Sequence, residues 1–243
     1  MNGFSSVCKR ELKGYFATPV AYVFLVIFLA AAGYLPFKDR FFDFRQADMR
    51  LFFKWLPVLY IFMVPSVAMR LWAEERRSGS IELLFTLPIT VVQAVIGKFI
   101  AAWVFLAIAL CLTFPMPITV GYLGDPDSGQ IISGYLGAFL MAGAYLAVGC
   151  FFSALTKNQV ISFILSVVAC AILYFIGLPS SIDMMNSFMP GFLVTVIEKL
   201  SFQNHFESMQ RGVIQLGDIG FFLVMIAGWI WSCCLILEER KAA

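Results

Sequence analysis

Six long stretches of apolar residues divide the chain, and each is long enough to cross a membrane as a helix. The hydrocarbon core of a bilayer, about 30 Å thick, needs about 20 apolar residues in helical form, because a helix satisfies its own backbone hydrogen bonds. The first stretch is long and no A-x-A site follows it, so we interpret it as a span rather than a cleaved signal peptide. The pattern predicts an all-α polytopic membrane protein with six transmembrane helices in a single domain, residues 1–243. The six stretches cover residues 19–36, 55–73, 99–122, 131–155, 160–178 and 216–237.

Two further segments mix apolar and charged residues. Residues 2–18 combine three cations with aromatic and aliphatic residues, which favours an amphipathic helix on the membrane surface. Residues 37–54 place several phenylalanines among charges. We interpret this second segment as an interfacial stretch on the external side.

The long loop at residues 179–215 also carries a helical pattern. Its apolar residues recur at helical spacing in two groups: Phe188, Phe192 and Val196, then Phe202, Phe206, Met209 and Val213. The loop therefore predicts one or two short re-entrant helices in the outer leaflet. Pro190 would begin the first helix and Gly212 would end the second.

An even number of spans places both termini on the same side of the membrane. The loop at residues 124–127 has no lysine or arginine, whereas both terminal segments and the loop after the second span carry them. Because cytoplasmic loops are enriched in these residues, the distribution predicts cytoplasmic termini. Residues 37–54 should then be external, yet they hold five lysines and arginines and disagree with the rule.

The composition agrees with a membrane protein. Of the 243 residues, 61% are hydrophobic and 13% are charged, whereas soluble domains average about 45–50% and about 25%. The net charge of +2 is too small to indicate nucleic-acid binding. Within the six predicted spans only Arg70 and Asp218 are charged, each near a span end. Ion-coupled carriers usually need ionisable groups at mid-membrane, so this scarcity argues against a secondary carrier or a channel.

The sequence contains no catalytic or metal-binding motif. It lacks a phosphate-binding loop, since Phe99 follows Gly97-Lys98 and Val92 stands where the first glycine should be. It also lacks H-E-x-x-H, a nucleophile elbow and a Cys/His cluster, and its single histidine is His205. We expect no catalytic residue, no metal and no cofactor on this chain. We interpret His205 as a polar surface residue, and the alternative is a gate or ligand contact.

Small residues cluster in the fourth span. Ala138/Ala142 and Gly143/Ala147 have the spacing that lets helices approach closely. Packing within one bundle and a contact between subunits both explain this pattern.

The segment at residues 72–98 is unusual for a connector. Four consecutive charged residues, Glu74 to Arg77, directly follow the second span, and Ser78-Gly79-Ser80 then interrupts the helix. Ser80 can cap a new helix with Glu82 in its first turn, where the helix dipole favours a carboxylate. Apolar residues follow until Pro88 ends the turn: Ile81, Leu83, Leu84 and Phe85. An exposed apolar edge favours a docking surface, and an ordinary interfacial helix is the alternative.

This segment resembles the hallmark of the ABC-2 type permeases of ABC transporters, E-E-R-x-x-G-[ST]-hydrophobic-E-x-L-x-x-x-P followed by a G-K pair. The stretch from Glu74 to Leu84, Pro88 and Gly97-Lys98 match it. The run from Arg10 to Pro19 also looks like that family. The run from Leu200 to Asp218 is similar to the subgroup of gliding-motility-associated permeases. Ser80 replaces the more common threonine, which is a conservative departure.

The resemblance implies partners and a location. Such permeases dimerise, as a homodimer or a related heterodimer, and bind two copies of a separate cytoplasmic ABC ATPase that carries the ATP and magnesium. The chain would lie in the lipid bilayer of a bacterial cytoplasmic (inner) membrane. An accessory membrane protein with a periplasmic domain is a further partner that the subgroup suggests.

The resemblance also assigns roles to three sets of residues. The ATPase-coupling segment, residues 74–98, would use Glu74, Glu75, Arg76, Arg77, Ser78, Gly79, Ser80, Ile81, Glu82, Leu83 and Leu84. The gate helix, residues 2–18, would use Arg10, Glu11, Lys13, Tyr15 and Phe16. The external helices, residues 179–215, would use Phe202, His205, Phe206, Arg211 and Gly212. In that scheme the charges from Glu74 to Arg77 form hinge salt bridges, while Ile81, Leu83 and Leu84 contact the ATPase.

These observations lead to two functional hypotheses. The first is the membrane-spanning permease subunit of an ATP-driven exporter, with no enzymatic activity of its own. The alternative is a membrane scaffold or assembly subunit, of the gliding-motility or periplasmic maturation type, that transmits force without moving a solute. The charge-poor spans are compatible with lipid-like or amphiphilic cargo.

Overall fold

The computed structural model describes residues 3–38, 48–81, 90–124 and 126–242, with side chains between residues 6 and 239 of these ranges. In this part of the chain the regular secondary structure is helical and includes no strand. The helices are numbered here in chain order. They are α1 (Gly3–Ala17), α2 (Pro19–Lys38), α3 (Arg50–Ala68), α4 (Arg70–Ser78), α5 (Val91–Cys111), α6 (Pro115–Leu123), α7 (Ser128–Leu155), α8 (Gln159–Phe175), α9 (Pro179–Asn186), α10 (Gly191–Lys199), α11 (Phe202–Gln210) and α12 (Leu216–Ala242).

Five helical segments of the described residues are long and apolar enough to cross a membrane. They are Pro19–Lys38, Arg50–Ser78, Val91–Leu123, Ser128–Leu155 and Leu216–Glu239. A sixth candidate combines α8 and α9, which meet at a bend of 77°. The prediction of an all-helical polytopic protein is confirmed, with five spans or six if the bent pair counts as one. The fifth predicted span, residues 160–178, corresponds to α8, and the chain turns sharply soon after this helix ends.

The interpretation of residues 37–54 as an interfacial stretch was wrong for its last part. Helix α3 begins at Arg50, and Phe52 and Phe53 are buried in the core with 2% and 0% exposure. Arg50 and Lys54 are exposed on other faces of the same helix turn, so the charges and the phenylalanines point in different directions. Residues 39–47 of this stretch lie outside the described residues.

Helix α7 forms the centre of the bundle. It packs against α3, α5, α8, α11 and α12. Its small residues allow this close approach: a Cβ added at Gly149 would lie 2.4 Å from the Cβ of Ala68 in α3. A Cβ added at Gly143 would lie 2.8 Å from the Trp103 ring in α5. The small residues of the fourth span therefore serve packing within one chain.

Hydrogen bonds and ion pairs between helices define two ends of the bundle among the described residues. The N-terminal end, as we call it, holds α1, α4, the starts of α5 and α8, and the last turns of α7. The opposite end holds the start of α7, helix α11 and the start of α12. At the opposite end Ser133 Oγ donates to the Met209 carbonyl at 2.8 Å, and Gln130 Nε2 donates to the Gln210 carbonyl at 3.0 Å.

Residues 179–215 contain three short helices, one more than predicted. Pro190 immediately precedes α10, and Gly212, in left-handed conformation with φ +92°, follows α11, as expected. The additional helix is α9, which begins at Pro179. It has no buried residue and is rich in polar residues, so the spacing of apolar residues could not indicate it.

Candidate functional site: an ion cluster between three helices

A buried lysine lies between two carboxylates where α1, α4 and α5 meet. Lys98, in α5, has 2% of its side chain exposed. Its Nζ is 2.8 Å from Oε1 of Glu75 in α4 and 3.1 Å from Oε1 of Glu11 in α1. Arg10 adds a second cation, with Nη2 2.8 Å from Oε1 of Glu11 and 3.5 Å from Oε1 of Glu75. We call these four residues the ion cluster.

The charges of the ion cluster depend on one another. Burial raises the pKa of Glu11, but the charge of Lys98 and the hydrogen bonds from Arg10 and Lys98 outweigh it, so the pKa of Glu11 lies below its usual range. The hydrogen bond to Glu11 raises the pKa of Arg10. A buried ammonium that loses its partners costs several kcal/mol. The three helices are therefore held together at one point by ionised groups.

Trp72 and Ser153 complete the surroundings of the ion cluster. The fully buried ring of Trp72 lies 5.2 Å from Lys98 Nζ, in cation–π geometry. Helix α4 begins just after a break at Met69, which leaves backbone N–H groups without helical partners. Ser153 of α7 accepts hydrogen bonds from the N–H groups of Trp72 and Ala73 at 3.0 and 3.1 Å, and its hydroxyl donates to the Met69 carbonyl. This serine fixes the start of α4 against the central helix.

The other charges of α4 are distributed between neighbours and solvent. Arg76 donates from Nη1 to the Ala154 carbonyl of α7 at 2.6 Å, which gives α4 a second attachment. Glu74 and Arg77 are exposed. Of the four charges from Glu74 to Arg77, Glu75 is therefore the one that the structure places in the ion cluster.

Helix α4 ends where the sequence predicts an interruption. Gly79 takes the left-handed conformation with φ +73°, which glycine adopts at helix ends without steric cost. The hydroxyls of Ser78 and Ser80 are 2.9 Å apart, and helical backbone resumes at Ser80. Ile81 is half-buried and packs against the core. Glu82, Leu83 and Leu84, and with them the proposed docking edge, lie outside the described residues.

The predicted gate-helix residues occupy two positions on α1. Arg10 and Glu11 belong to the ion cluster, whereas Tyr15 and Phe16 pack against Phe105 of α5 with ring centroids 5.2 and 5.8 Å away. Lys13 is exposed. Helix α1 therefore lies along α5 and contacts it through both charged and aromatic residues.

At the opposite end, His205 and Asp218 form a hydrogen-bonded pair that no sequence motif indicates. Nδ1 of His205 is 2.7 Å from Oδ1 of Asp218, and Nε2 is 3.0 Å from the Lys199 carbonyl. Asp218, 6% exposed, also accepts a hydrogen bond from Ser208. His205 is thus a partly buried residue with two partners, and Asp218 is buried beside it.

The other residues assigned to the external helices contribute to packing, an exposed ion pair and a turn. Phe202 and Phe206 are fully buried, and a face of α11 lies against α7. Arg211 pairs with Glu207 on the exposed side of α11. Gly212 supplies the left-handed turn that leads toward α12. Helix α11 is therefore an integral part of the bundle.

Comparison with known proteins places the chain in a family. The sequence profile of the ABC-2 family transporter proteins matches residues 41–237. The chain belongs to the ABC-2 transporter family. It is a permease component of an ABC system, a multi-pass membrane subunit that is not itself catalytic and whose family implies an ATPase partner. The match does not support the gliding-motility subgroup. A comparison with curated proteins found no match.

The sequence motifs contain two carboxylates of the ion cluster, Glu11 and Glu75, but do not indicate the role of Lys98. Hydropathy places Lys98 in the loop before the third span, because the apolar stretch begins at Phe99. The structure places it inside α5, which begins at Val91 behind a capping box formed by Thr90 and Gln93. A lone cation within an otherwise apolar helix was the available signal. Nothing local indicated that Ser153 would cap α4, because the two lie far apart in the sequence.

Proposed function

We propose that this permease is the membrane-spanning subunit of an ATP-driven exporter in a bacterial inner membrane. It works as a dimer with two cytoplasmic ATPases and has both termini in the cytoplasm. The ion cluster is the observation that supports this proposal, because it joins the helix that precedes the coupling segment to the N-terminal helix and to a transmembrane helix.

The geometry suggests how motion passes through the subunit. The ATPase contacts the segment after Gly79 and displaces the end of α4. Ser153 and the Ala154 carbonyl hold α4 against α7, so the helix tilts about this attachment. Glu75 then carries Lys98 and Glu11 with it, because a buried pair resists separation. The displacement reaches α1 and α5 together.

A neutral replacement of the ion cluster tests this proposal. The triple variant Lys98→Met, Glu11→Gln and Glu75→Gln removes three of the four charges together and leaves only Arg10, whose side chain is 56% exposed. No buried charge is then left unpaired, and the fold is expected to persist. Spin labels at Lys9 and Lys157, both exposed at the N-terminal end, report the position of α1 in the complex with the ATPase. We expect ATP binding to change this distance in the native complex, and the change to fall at least twofold in the triple variant.

The matched control is the double variant Glu207→Gln and Arg211→Gln, which removes the exposed ion pair of α11. It should retain the ATP-dependent distance change. A triple variant that folds, binds the ATPase and shows the native distance change would refute the role of the ion cluster in coupling.

A further inference from the structure

Three cavities that share lining residues follow one another from the ion cluster along α2, and together we call them the crevice. Its first part, the polar cavity, has a volume of about 220 Å³ and lies between α1 and α4. A constriction of about 20 Å³ follows, which shares Tyr15, Thr18 and Arg70 with the polar cavity and reaches Phe24. Phe24 also lines the third part, the apolar groove, which has a volume of about 320 Å³ between α2, α3 and α8.

Two charged residues that line the polar cavity have no ionic partner among the described residues, one cation and one anion. Arg70 lines it, and its buried Nε has no hydrogen-bond partner among the described residues. Glu74 lines it as well and makes no ion pair or hydrogen bond in the described part of the chain. The third charged residue of the lining, Glu11, is already paired with Lys98 and Arg10. A ligand that carries one negative and one positive group therefore fits this cavity.

The apolar groove has the chemistry and depth of a hydrocarbon site. Its lining consists only of apolar side chains, among them Ile27, Phe28, Ala31 and Phe62. From Thr18 to Ala31 the chain rises about 20 Å along α2, at about 1.5 Å per residue. One leaflet contributes about 15 Å of hydrocarbon. The constriction and the apolar groove together therefore match the length of an acyl chain from the headgroup level to the middle of the bilayer.

We propose that this crevice binds one zwitterionic aminophospholipid from the leaflet at the N-terminal end of the bundle. The phosphate lies against Arg70, the primary ammonium lies against Glu74, and one acyl chain fills the apolar groove. An anionic headgroup would leave Glu74 beside a second negative charge. A purely apolar ligand would leave the buried Nε of Arg70 unpaired. The lipid is a resident of the subunit, and its binding depends on neither cargo nor ATPase.

Lipid retention by the full chain tests the proposal. The protein is reconstituted with equal amounts of phosphatidylethanolamine and phosphatidylglycerol, stripped with detergent, and examined by native mass spectrometry. We expect one phosphatidylethanolamine per chain, retained at least fivefold more than phosphatidylglycerol. Arg70→Gln should lower retention at least tenfold. Ala31→Phe, which fills the groove, should do the same, and Glu74→Gln should remove the headgroup preference while total retention stays within twofold.

Two matched variants control for charge and bulk. Lys9→Gln removes an exposed cation of α1 that does not line the crevice, and Ala30→Phe adds a ring on the exposed side of α2; both should retain lipid as the native chain does. Native retention in Ala31→Phe, or a native preference for phosphatidylglycerol, would overturn the proposal. If Arg70→Gln fails to fold, lipid retention by Ala31→Phe and Glu74→Gln still tests the proposal. Since no ATPase is present, this outcome is independent of the test of coupling.

Discussion

Each end of the bundle pairs a nitrogen-bearing side chain with a carboxylate, but the two pairs join different parts of the fold. At the N-terminal end Lys98 joins residues of three helices that are distant in the sequence, and its side chain is almost fully buried. At the opposite end His205 and Asp218 are 13 residues apart and link α11 to the helix that follows it. The contacts of Lys98 therefore join helices that are distant in the sequence, whereas the contact of His205 with Asp218 joins two consecutive helices.

The largest expected effect is the loss of Lys98 alone. Lys98→Met leaves Glu11 and Glu75 facing each other with only the half-exposed Arg10 between them. Breaking a buried pair in this way costs about 3–5 kcal/mol. Unfolding in mixed micelles, followed by circular dichroism, measures the change in the free energy of unfolding. Lys157→Met, an exposed lysine at the same end, should change it by less than about 0.5 kcal/mol, and a similar small effect for Lys98→Met would contradict the burial argument.

A smaller effect is expected at the opposite end. Asp218→Asn preserves the shape of the side chain but removes the charge that accepts hydrogen bonds from His205 and Ser208. Hydrogen bonds to charged groups contribute about 1.5–3 kcal/mol, so the variant should be destabilised by about that amount and less than Lys98→Met. The control is Asp127→Asn, because Asp127 caps α7 and asparagine caps a helix equally well. If Asp218→Asn costs more than Lys98→Met, the ranking of the two ends is reversed.

The smallest effect is expected for an exposed ion pair at the same end as His205. Arg211→Gln breaks the pair with Glu207, whose two side chains are 62% and 39% exposed. Such pairs contribute about 0.2–1 kcal/mol. The unfolding free energy should therefore change by less than about 1 kcal/mol. A larger loss of unfolding free energy would mean that the stabilisation by a charged pair depends on its location at the opposite end rather than on burial.

The spans could be predicted from the sequence because hydropathy is a local property. The start of α3 was misread for the same reason: Arg50 and Lys54 raise the polarity of a segment whose phenylalanines are buried on another face. Helix α9 was missed because it has no apolar periodicity. Local patterns therefore predict which segments cross the membrane better than they predict where each helix begins.

The candidate site was predictable only in part. Glu11 and Glu75 were named because they lie in recognisable motifs, and Gly79 because a glycine after a charged helix end indicates an interruption. The meeting of Glu11, Glu75 and Lys98 depends on how α1 lies along α5, which no local pattern encodes. The pairing of His205 with Asp218 similarly depends on the turn at Gly212.

The deep burial of α7 limits how the chain can change in length. Each added residue rotates the remainder of a helix by about 100°. In α7 such an insertion would turn Gly149 away from Ala68 and bring a larger side chain into a contact that has no room for it. A one-residue deletion would have the opposite rotation and the same consequence. We therefore expect related chains to differ in the length of their loops and outer helices, while the number of residues in α7 stays constant.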